Sequence, residues 1–302
     1  MANKLPAPPL KASGGALSNC NSQTYHKGKE TVEPEEQNVR VALFQSDANY
    51  ESPAERLDLL ARTADRLKGE KLDLLVCPEL FSSGYDIGSE VLGRAEPLEG
   101  KFASGVKDIA SASKLAIIYG YPEYTDKGIF NSAACIGANG GVIANHRKCL
   151  LPPNFERQLF AKGNSMTVFD LNSVRYAILI CYESEFPEAF RRVVRQGAQV
   201  VIVPTATAER WSVVPDCIAP TRAFENGVFV VYANLCGADA GSTYAGKSCI
   251  VDPLGNDLAR AGKQEEVLVA VLKIASLNAA RNRLPYHLDS TGIPGLSDIS
   301  AA

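Results

Sequence analysis

The sequence lacks the long apolar runs and the basic clusters that several classes of protein require. Its apolar stretches, such as Val200–Pro204, have the length of a strand and fall far short of the roughly 20 residues that span a membrane. Lys and Arg number 31 against 34 Asp and Glu, which gives a formal net charge of −3. No basic cluster alternates with aromatic residues. We therefore expect no membrane association and no nucleic-acid partner.

Metal ligands and nucleotide-binding motifs are also scarce. The three histidines, His26, His146 and His287, stand far apart, and no pair of potential ligands has the spacing of a zinc site. No GxGxxG or GxxxxGK sequence follows a strand-like run. We therefore expect neither a metal nor a cofactor, so that any chemistry must come from side chains.

The eight cysteines are scattered, and none forms a CxxC pair. Cys77, Cys135 and Cys249 lie inside apolar runs, which is typical of reduced, buried thiols. Residues 1–38 are rich in Pro, Ser, Ala and Gly without a continuous apolar core, and predict a disordered tail instead of a secretory signal. A cytoplasmic location is favoured. Import into an organelle is a weaker alternative, because the tail contains no Arg.

Strand-like and helix-like segments alternate along the rest of the chain. The 302 residues, 46% of them hydrophobic, are enough to bury a large core. The clearest helix start is the capping box of Ser52 and Glu55, and further helices are predicted at residues 101–113, 187–196 and 220–226. Strands are predicted at residues 39–44, 72–76, 115–119, 131–136, 141–145, 176–180, 200–203, 228–232, 248–251 and 267–272. Because strands outnumber helices, the pattern predicts two sheets with helices outside them.

Cys181 is the most informative single position. It closes the apolar run 176–180 and precedes a segment in which Pro187 stands near the first position of a predicted helix. A thiol at the junction of a rigid strand and a helix is held still and can face a cleft. The same pattern is also typical of a cysteine that only packs in the core.

Two ionisable residues, Glu79 and Lys148, each follow another strand-like run. Taken alone, Glu79 fits a solvated loop carboxylate and Lys148 fits a basic edge strand. A thiol with an ordinary pKa of about 8.5 needs a base and a cationic neighbour to become a good nucleophile. Glu79 can take the proton of Cys181, while Lys148 and the N–H of Tyr182 can stabilise the oxyanion that follows attack.

At these residues the chain resembles the nitrilase superfamily of carbon-nitrogen hydrolases, whose members carry a Glu-Lys-Cys triad in this order. The similarity is carried by a glutamate motif, a lysine motif and a cysteine motif, at residues 75–81, 146–152 and 178–188. It covers about residues 39–288, which we interpret as the hydrolase domain, with residues 289–302 as a short C-terminal tail.

This resemblance implies an α/β fold, the four-layer αββα sandwich, with two central mixed sheets and helices on the outside. It implies catalytic roles for Glu79, Lys148 and Cys181, with Glu156 as a supporting carboxylate that orients the lysine or the substrate. On its sequence alone, Glu156 also fits a surface acid paired to Arg157. The family usually pairs subunits through helices near the cysteine and lysine motifs, which implies a homodimer or a larger homo-oligomer.

The motif after the nucleophile bears on which bond is cut. Residues 181–183, Cys-Tyr-Glu, followed by Phe-Pro-Glu at 186–188, resemble the amidase-type branches, whereas typical nitrilases carry Trp after the cysteine. The favoured reaction is therefore hydrolysis of a primary amide to a carboxylic acid and ammonia through a cysteine thioester.

Other functions stay open on the sequence. The substrate could instead be a nitrile, or an N-carbamoyl or ureido acid bound by Arg210, although the neighbouring Glu209 could neutralise that arginine. Acyl transfer to an amine and a non-catalytic binding or redox-sensor scaffold are further alternatives. A protease that pairs Cys181 with His146 is a rival from another class, but it leaves the glutamate and the lysine unused.

Five residues near predicted strand ends are candidates for the substrate pocket. Aromatic residues at such positions favour an apolar acyl group, although each position is equally typical of the core or of the pocket rim. These candidates are Tyr85, Phe155, Thr205, Ala206 and Trp211.

Overall fold

Two six-stranded sheets packed face to face form the centre of the structure, which is a computed structural model. It describes residues 38–50, 52–239 and 241–293. The tail predicted for residues 1–38 lies outside these ranges except for Asn38, which begins the first strand. Of the tail predicted for residues 289–302, only the part up to residue 293 is described.

The described residues form twelve strands and eight α-helices. In chain order, the strands are β1 (Asn38–Gln45), β2 (Leu74–Val76), β3 (Ala116–Thr125), β4 (Gly128–Ile136), β5 (Val142–Arg147), β6 (Thr167–Leu171), β7 (Val174–Ile178), β8 (Val200–Pro204), β9 (Phe229–Ala233), β10 (Cys249–Val251), β11 (Asp257–Arg260) and β12 (Glu266–Lys273). The helices are α1 (Pro53–Arg66), α2 (Glu90–Gly93), α3 (Lys101–Ser113), α4 (Glu156–Leu159), α5 (Pro187–Arg195), α6 (Ala219–Asn226), α7 (Ala275–Arg283) and α8 (Tyr286–Asp289).

Both sheets are mixed, with parallel strands at the centre. The first has the order β12-β1-β2-β3-β4-β5, and β1, β2 and β3 run parallel. The second has the order β11-β10-β9-β8-β7-β6, and β7, β8 and β9 run parallel. In each sheet the remaining neighbours are antiparallel.

The alternation of side chains along β1 shows how the layers are built. Val41 and Leu43 point into the core between the two sheets, whereas Ala42 and Phe44 pack in the cluster that α1 and α3 share with the first sheet. On the second sheet, Ile178 joins the core between the sheets. Its neighbours on the other face pack against α5 and α6. Strands covered on both faces read as nearly continuous apolar runs, and the predicted four-layer sandwich is confirmed.

Helix α1 begins as the capping box predicts. The N–H of Glu55 donates to Ser52 Oγ at 3.3 Å, and the N–H of Ser52 donates to Glu55 Oε2 at 3.1 Å. Helix α3 has the predicted bounds, and α5 and α6 differ from prediction by one residue each. No helix in the described ranges is both long and apolar enough to cross a bilayer.

Several strand predictions need correction. β6 and β11 were not predicted, because their residues are mostly half-buried or exposed and lack a strong apolar pattern. β3 continues to Thr125 through Gly120 and Pro122, which look like strand breakers in the sequence. The strand predicted at 176–180 ends at Ile178, and a 3-10 helix over Cys181–Glu185 follows.

Candidate active site

The predicted triad assembles from segments that follow three different strands. Glu79 follows β2 and Lys148 follows β5, both in the first sheet, whereas Cys181 follows β7 of the second sheet. The segment that carries the lysine is held to the sheet by a backbone hydrogen bond, from the N–H of Lys148 to the carbonyl of Asn131 at 2.8 Å. The site therefore lies where the two sheets meet at one end of the sandwich.

Lys148 is fully buried between two carboxylates. Its Nζ donates to Glu79 Oε1 at 2.5 Å, and to the two carboxylate oxygens of Glu156 at 2.8 and 2.9 Å. All three side chains are inaccessible to solvent. Glu156 begins α4 and is not a surface acid paired to its neighbour, which was the alternative interpretation of the sequence.

Two further polar side chains complete this cluster. The amide of Asn131 donates to Glu79 Oε1 at 2.8 Å and to Glu156 Oε2 at 3.0 Å, and the hydroxyl of Tyr85 donates to Glu156 Oε1 at 2.6 Å. The bridging role of Asn131 was not predicted from the sequence. The only sequence signal for it is a polar residue early in a predicted buried strand, and its partners become visible only in the fold.

The electrostatics keep Lys148 charged and bring the pKa of Glu79 close to neutral pH. Burial lowers the pKa of Lys148, but the charges of Glu156 and Glu79 outweigh it, and the pKa lies above its ordinary value. Burial is the largest influence on Glu79 and raises its pKa to about 7, against the opposing charge of Lys148. Glu79 Oε2 is buried and makes no hydrogen bond with any described residue. A carboxylate with a free oxygen and a pKa near neutrality is suited to proton transfer.

Cys181 lies at the first position of the 3-10 helix with a left-handed backbone, at φ 49°. Non-glycine residues in this region are strained and are held there by the surrounding structure, often at functional sites. The side chain is 9% exposed. Burial and the charge of Glu79 raise the pKa of the thiol, while Lys148 and a hydrogen bond with Thr205 act in the opposite direction. The resting thiol is therefore protonated and needs a base when it attacks.

Glu183 connects the lysine segment to the cysteine turn. Its carboxylate accepts from the N–H of Cys149 at 2.7 Å and from the N–H of Ile180 at 2.6 Å, and it lies 2.8 Å from Nε2 of His146. Although burial raises the pKa of Glu183, these partners outweigh it and hold the pKa below its ordinary value. His146 is thus fully buried and bonded to a carboxylate, so the structure gives a Cys-His protease no support.

A pocket of about 450 Å³ opens above the nucleophile. Cys181 and Tyr182 lie in its wall, together with four of the five residues that the sequence suggested, namely Tyr85, Phe155, Ala206 and Trp211. Trp211 is 56% exposed and stands at the rim. The pocket is also lined by residues that were not predicted from the sequence, among them Asp86, Asn154, Glu185, Thr207 and Ser242.

The fifth suggested residue, Thr205, is fully buried and is not among the lining residues. Its hydroxyl lies 2.9 Å from that of Thr207, and the Thr205 side chain acts to lower the pKa of the Cys181 thiol. Arg210 lines the pocket at its exposed rim, and the predicted neutralisation by Glu209 is not seen, because Glu209 pairs with Lys263. Among the described residues, no group of three or more His, Cys, Asp or Glu is arranged to hold a metal ion.

Comparison with known proteins agrees with this geometry. Residues 40–282 match the family model described as carbon-nitrogen hydrolase. A Pseudomonas protegens protein named as the hydrolase in the pqqF 5′ region is 38% identical over 83% of this chain and 88% of its own length. An (R)-stereoselective amidase from a Pseudomonas species is 35% identical over 72% of this chain and 79% of its own length. The chain belongs to the carbon-nitrogen hydrolase family.

Solved structures of an amidase from Nesterenkonia resemble the fold. One of them, 30% identical in sequence, superposes with a TM-score of 0.71 over 85% of this chain and 98% of that chain. Another member of the same set carries the acetamide moiety of fluoroacetamide covalently added at the active-site cysteine. The resemblance to the amidase-like branch of the nitrilase superfamily, drawn from the motifs, is confirmed.

Proposed function

We propose that this protein hydrolyses small primary carboxamides to the carboxylic acid and ammonia, through a thioester on Cys181. The observation that carries the proposal is the buried Lys148, clamped by Glu79 and Glu156 beside a thiol that opens into a pocket. A buried ammonium between two carboxylates, placed at a nucleophile, suits acyl transfer better than a purely structural role.

Acylation begins with the protonated thiol. Glu79 accepts the proton of Cys181 as sulfur attacks the amide carbon, so that no free thiolate has to form in a buried site. Negative charge then develops on the carbonyl oxygen, where the ammonium of Lys148 and the N–H of Tyr182 stabilise it. Tyr182 is the second residue of the 3-10 helix, and the first N–H groups of a helix have no acceptor within it.

Ammonia leaves when Glu79 returns the proton to the nitrogen, and a thioester between Cys181 and the acyl group remains. Glu79, ionised again, removes a proton from a water molecule as its oxygen attacks the thioester carbon. Glu79 then returns that proton to the departing sulfur, so that the carbon–sulfur bond breaks, the acid is released and the thiol is regenerated. Throughout this cycle Glu156 and Asn131 hold Lys148 and Glu79 in place by the hydrogen bonds described above. They are positioning residues in this mechanism.

The amide preference draws on the similar proteins. Relatives that are named as amidases include the Pseudomonas enzyme and a 2-oxoglutaramate amidase from Bacillus subtilis that is 27% identical over 82% of this chain. A Nesterenkonia amidase structure contains butyramide. A relative from Pyrococcus abyssi, 30% identical over 76% of this chain, is named a nitrilase, which makes nitrile hydrolysis the second candidate.

The test is ammonia release from butyramide, butyronitrile and N-carbamoyl-β-alanine, measured in parallel on the wild type and Cys181→Ala. Release from butyramide that is lost in the variant supports the amidase proposal. Release from the nitrile or the carbamoyl acid alone would move the protein to another branch of the family. Equal release by both proteins, or none by either, would refute the thioester mechanism for these substrates.

We also propose that the protein acts as a homodimer or larger homo-oligomer in the cytoplasm. The seven described cysteines are free thiols, which fits a reducing compartment. Exposed apolar side chains on α6 and α8, such as Phe224 and Leu288, fit a subunit contact near the cysteine segment. Light scattering at several protein concentrations tests the assembly, and a monomer at all of them would refute it.

A further inference from the structure

Glu185 is an acidic residue in the catalytic pocket that the mechanism above does not use. It ends the 3-10 helix that begins at Cys181, and both residues line the same pocket of about 450 Å³. The side chain is only partly exposed to solvent. Among the residues that the structure describes, none forms a hydrogen bond or an ion pair with its carboxylate. The pocket wall therefore contains a carboxylate that has no bonding partner among the described residues.

The backbone around this carboxylate is fixed. Arg222 donates to the carbonyl of Ser184 at 3.2 Å and to the carbonyl of Glu185 at 2.6 Å. The same guanidinium forms its ion pair with Glu225, at 3.0 Å. Arg222 thus anchors the end of the helix while its charge is paired elsewhere. A carboxylate on a fixed backbone is a preorganised group for recognition.

Nearby cations compensate Glu185 only in part: burial raises the pKa of its carboxyl, and the charges of Lys148 and Arg222 act in the opposite direction without outweighing burial. Lys148 is already held by two carboxylates, and Asp86 adds a second acid to the pocket wall, where it accepts from the hydroxyl of Ser242 at 3.0 Å. Arg210 is exposed at the rim, 5.9 Å from the centre of the Trp211 ring. The interior of the pocket is therefore acidic near the nucleophile.

We propose that Glu185 selects amides whose acyl group carries an ammonium group, that is, amino amides of small size. This inference rests on the proposed amidase function and names its substrate class. An ammonium in the acyl part forms a charge-assisted hydrogen bond with the carboxylate in a partly desolvated pocket. An acyl group that carries a carboxylate meets two like charges instead, and this disfavours ureido acids and half-amides of dicarboxylic acids.

Three amides of nearly equal size separate charge from shape. β-Alaninamide carries an ammonium, butyramide a methyl group and succinamate a carboxylate at the same distance from the amide. We expect kcat/KM of the wild type to fall in that order. In Glu185→Gln, the ratio of kcat/KM for β-alaninamide to that for butyramide falls about tenfold.

The matched control is Glu188→Gln, which removes the same charge from an exposed position on α5 outside the pocket wall. We expect it to leave the ratio unchanged. Glu185→Lys extends the series and should favour succinamate over β-alaninamide. A ratio that is unchanged in Glu185→Gln, or that falls equally in Glu188→Gln, overturns the inference. A wild type that prefers succinamate overturns it without any variant.

The two proposals fail differently. If butyramide is hydrolysed in a Cys181-dependent reaction but the charged amides show no dependence on Glu185, only the specificity inference is wrong. If none of the three amides is hydrolysed, the proposed amidase function is wrong and the inference falls with it.

Discussion

At Lys148, burial and charge act in opposite directions on a single ammonium group. Removal from water disfavours the charged form, while Glu79 and Glu156 favour it and prevail. The result is a cation that does not give up its proton near neutral pH. In the proposed mechanism, Lys148 therefore serves as a fixed positive charge for the oxyanion, and Glu79 carries out the proton transfers.

Lys148→Ala tests this arrangement. We expect loss of turnover and a decrease in the free energy of unfolding of about 3–5 kcal/mol, because two buried carboxylates lose their cation. Urea unfolding and ammonia release are the measurements. The double variant Lys148→Ala/Glu156→Gln should recover part of the lost stability and none of the activity. If Lys148→Ala is as stable as the wild type at pH values where both carboxylates are ionised, the ammonium of Lys148 does not stabilise Glu79 and Glu156 as described.

The pKa of Glu79 predicts the acidic limb of the pH profile. Because the ionised carboxylate is the base, kcat/KM should rise with pH through about 7. The charge of Glu156 raises the pKa of Glu79, so Glu156→Gln should shift this limb to lower pH, together with a lower maximum. The measurement is the pH profile of kcat/KM for butyramide in the wild type and in Glu156→Gln. An acidic limb that stays in place or moves to higher pH in the variant counts against Glu79 as the base.

At the scale of elements, Glu183 joins the end of β5 to the turn that carries the nucleophile. Glu183→Gln should lower the free energy of unfolding by about 1–3 kcal/mol, because a buried anion with two N–H donors and a histidine loses its charge. Misplacement of the turn should lower kcat more than it changes KM. Denaturation and steady-state kinetics test both, with the exposed Glu188→Gln as the control.

The pH dependence of that stability has a defined sign. The folded-state pKa of Glu183 is held below its ordinary value, so its stabilisation is complete above the unfolded pKa, about 4.3, and is lost as the pH falls through the folded pKa. The difference in stability between the wild type and Glu183→Gln should therefore shrink in acid. A difference that grows in acid would contradict the assigned partners.

Gly120 of β3 lets the glutamate segment approach the sheet. A Cβ at this position would lie 2.4 Å from the backbone nitrogen of Leu80 and 2.7 Å from the carbonyl oxygen of Pro78. Leu80, directly after Glu79, already has a left-handed backbone at φ 46°. We expect Gly120→Ala to displace Glu79 and reduce kcat at least tenfold, about 1.4 kcal/mol in barrier.

The matched control is Gly93→Ala in α2, where an added Cβ has no atom within 4 Å. This change should leave kcat unaffected and should not lower the melting temperature, because Ala is favoured over Gly in helices. Equal activities of the Gly120 and Gly93 variants would show that the close approach at β3 is not needed for catalysis.

Sequence patterns predicted the elements that are buried on both faces and missed those that are not. The apolar runs of β1, β8 and β9 leave little choice of structure, whereas β11 has only half-buried and exposed residues and resembles a loop. The strand predicted at 115–119 stops short of Pro122, yet β3 continues through this residue, which lies opposite Asn131 of β4. Local composition does not contain the tertiary pairing that decides such segments.

For the site, the motifs predicted which residues come together and left open what holds them there. Glu79, Lys148, Glu156 and Cys181 were all proposed from sequence and lie in one cluster. The bonds of Glu183 to backbone N–H groups on both sides of the site were not predicted. Such contacts depend on how the two sheets dock, and no spacing within one strand encodes them.

At the scale of the whole molecule, the core between the sheets sets stability and should be separable from chemistry. Leu43 of β1 is fully buried there. Leu43→Ala should lower the free energy of unfolding by about 2–5 kcal/mol through a cavity. At temperatures where the variant is folded, kcat for butyramide should match the wild type. A large loss of kcat in folded protein would show that the core and the site are coupled.

The pairing of β1 with β12 has a consequence for biosynthesis. The base, the lysine and the nucleophile have all been synthesised once the ribosome has passed residue 181. The sheet that carries the first two, however, is completed only by residues 266–273, which supply the outer neighbour of β1 and part of the core between the sheets. A nascent chain that already holds every reactive group is therefore expected to stay inert until residues 266–273 emerge from the ribosome and pair with β1.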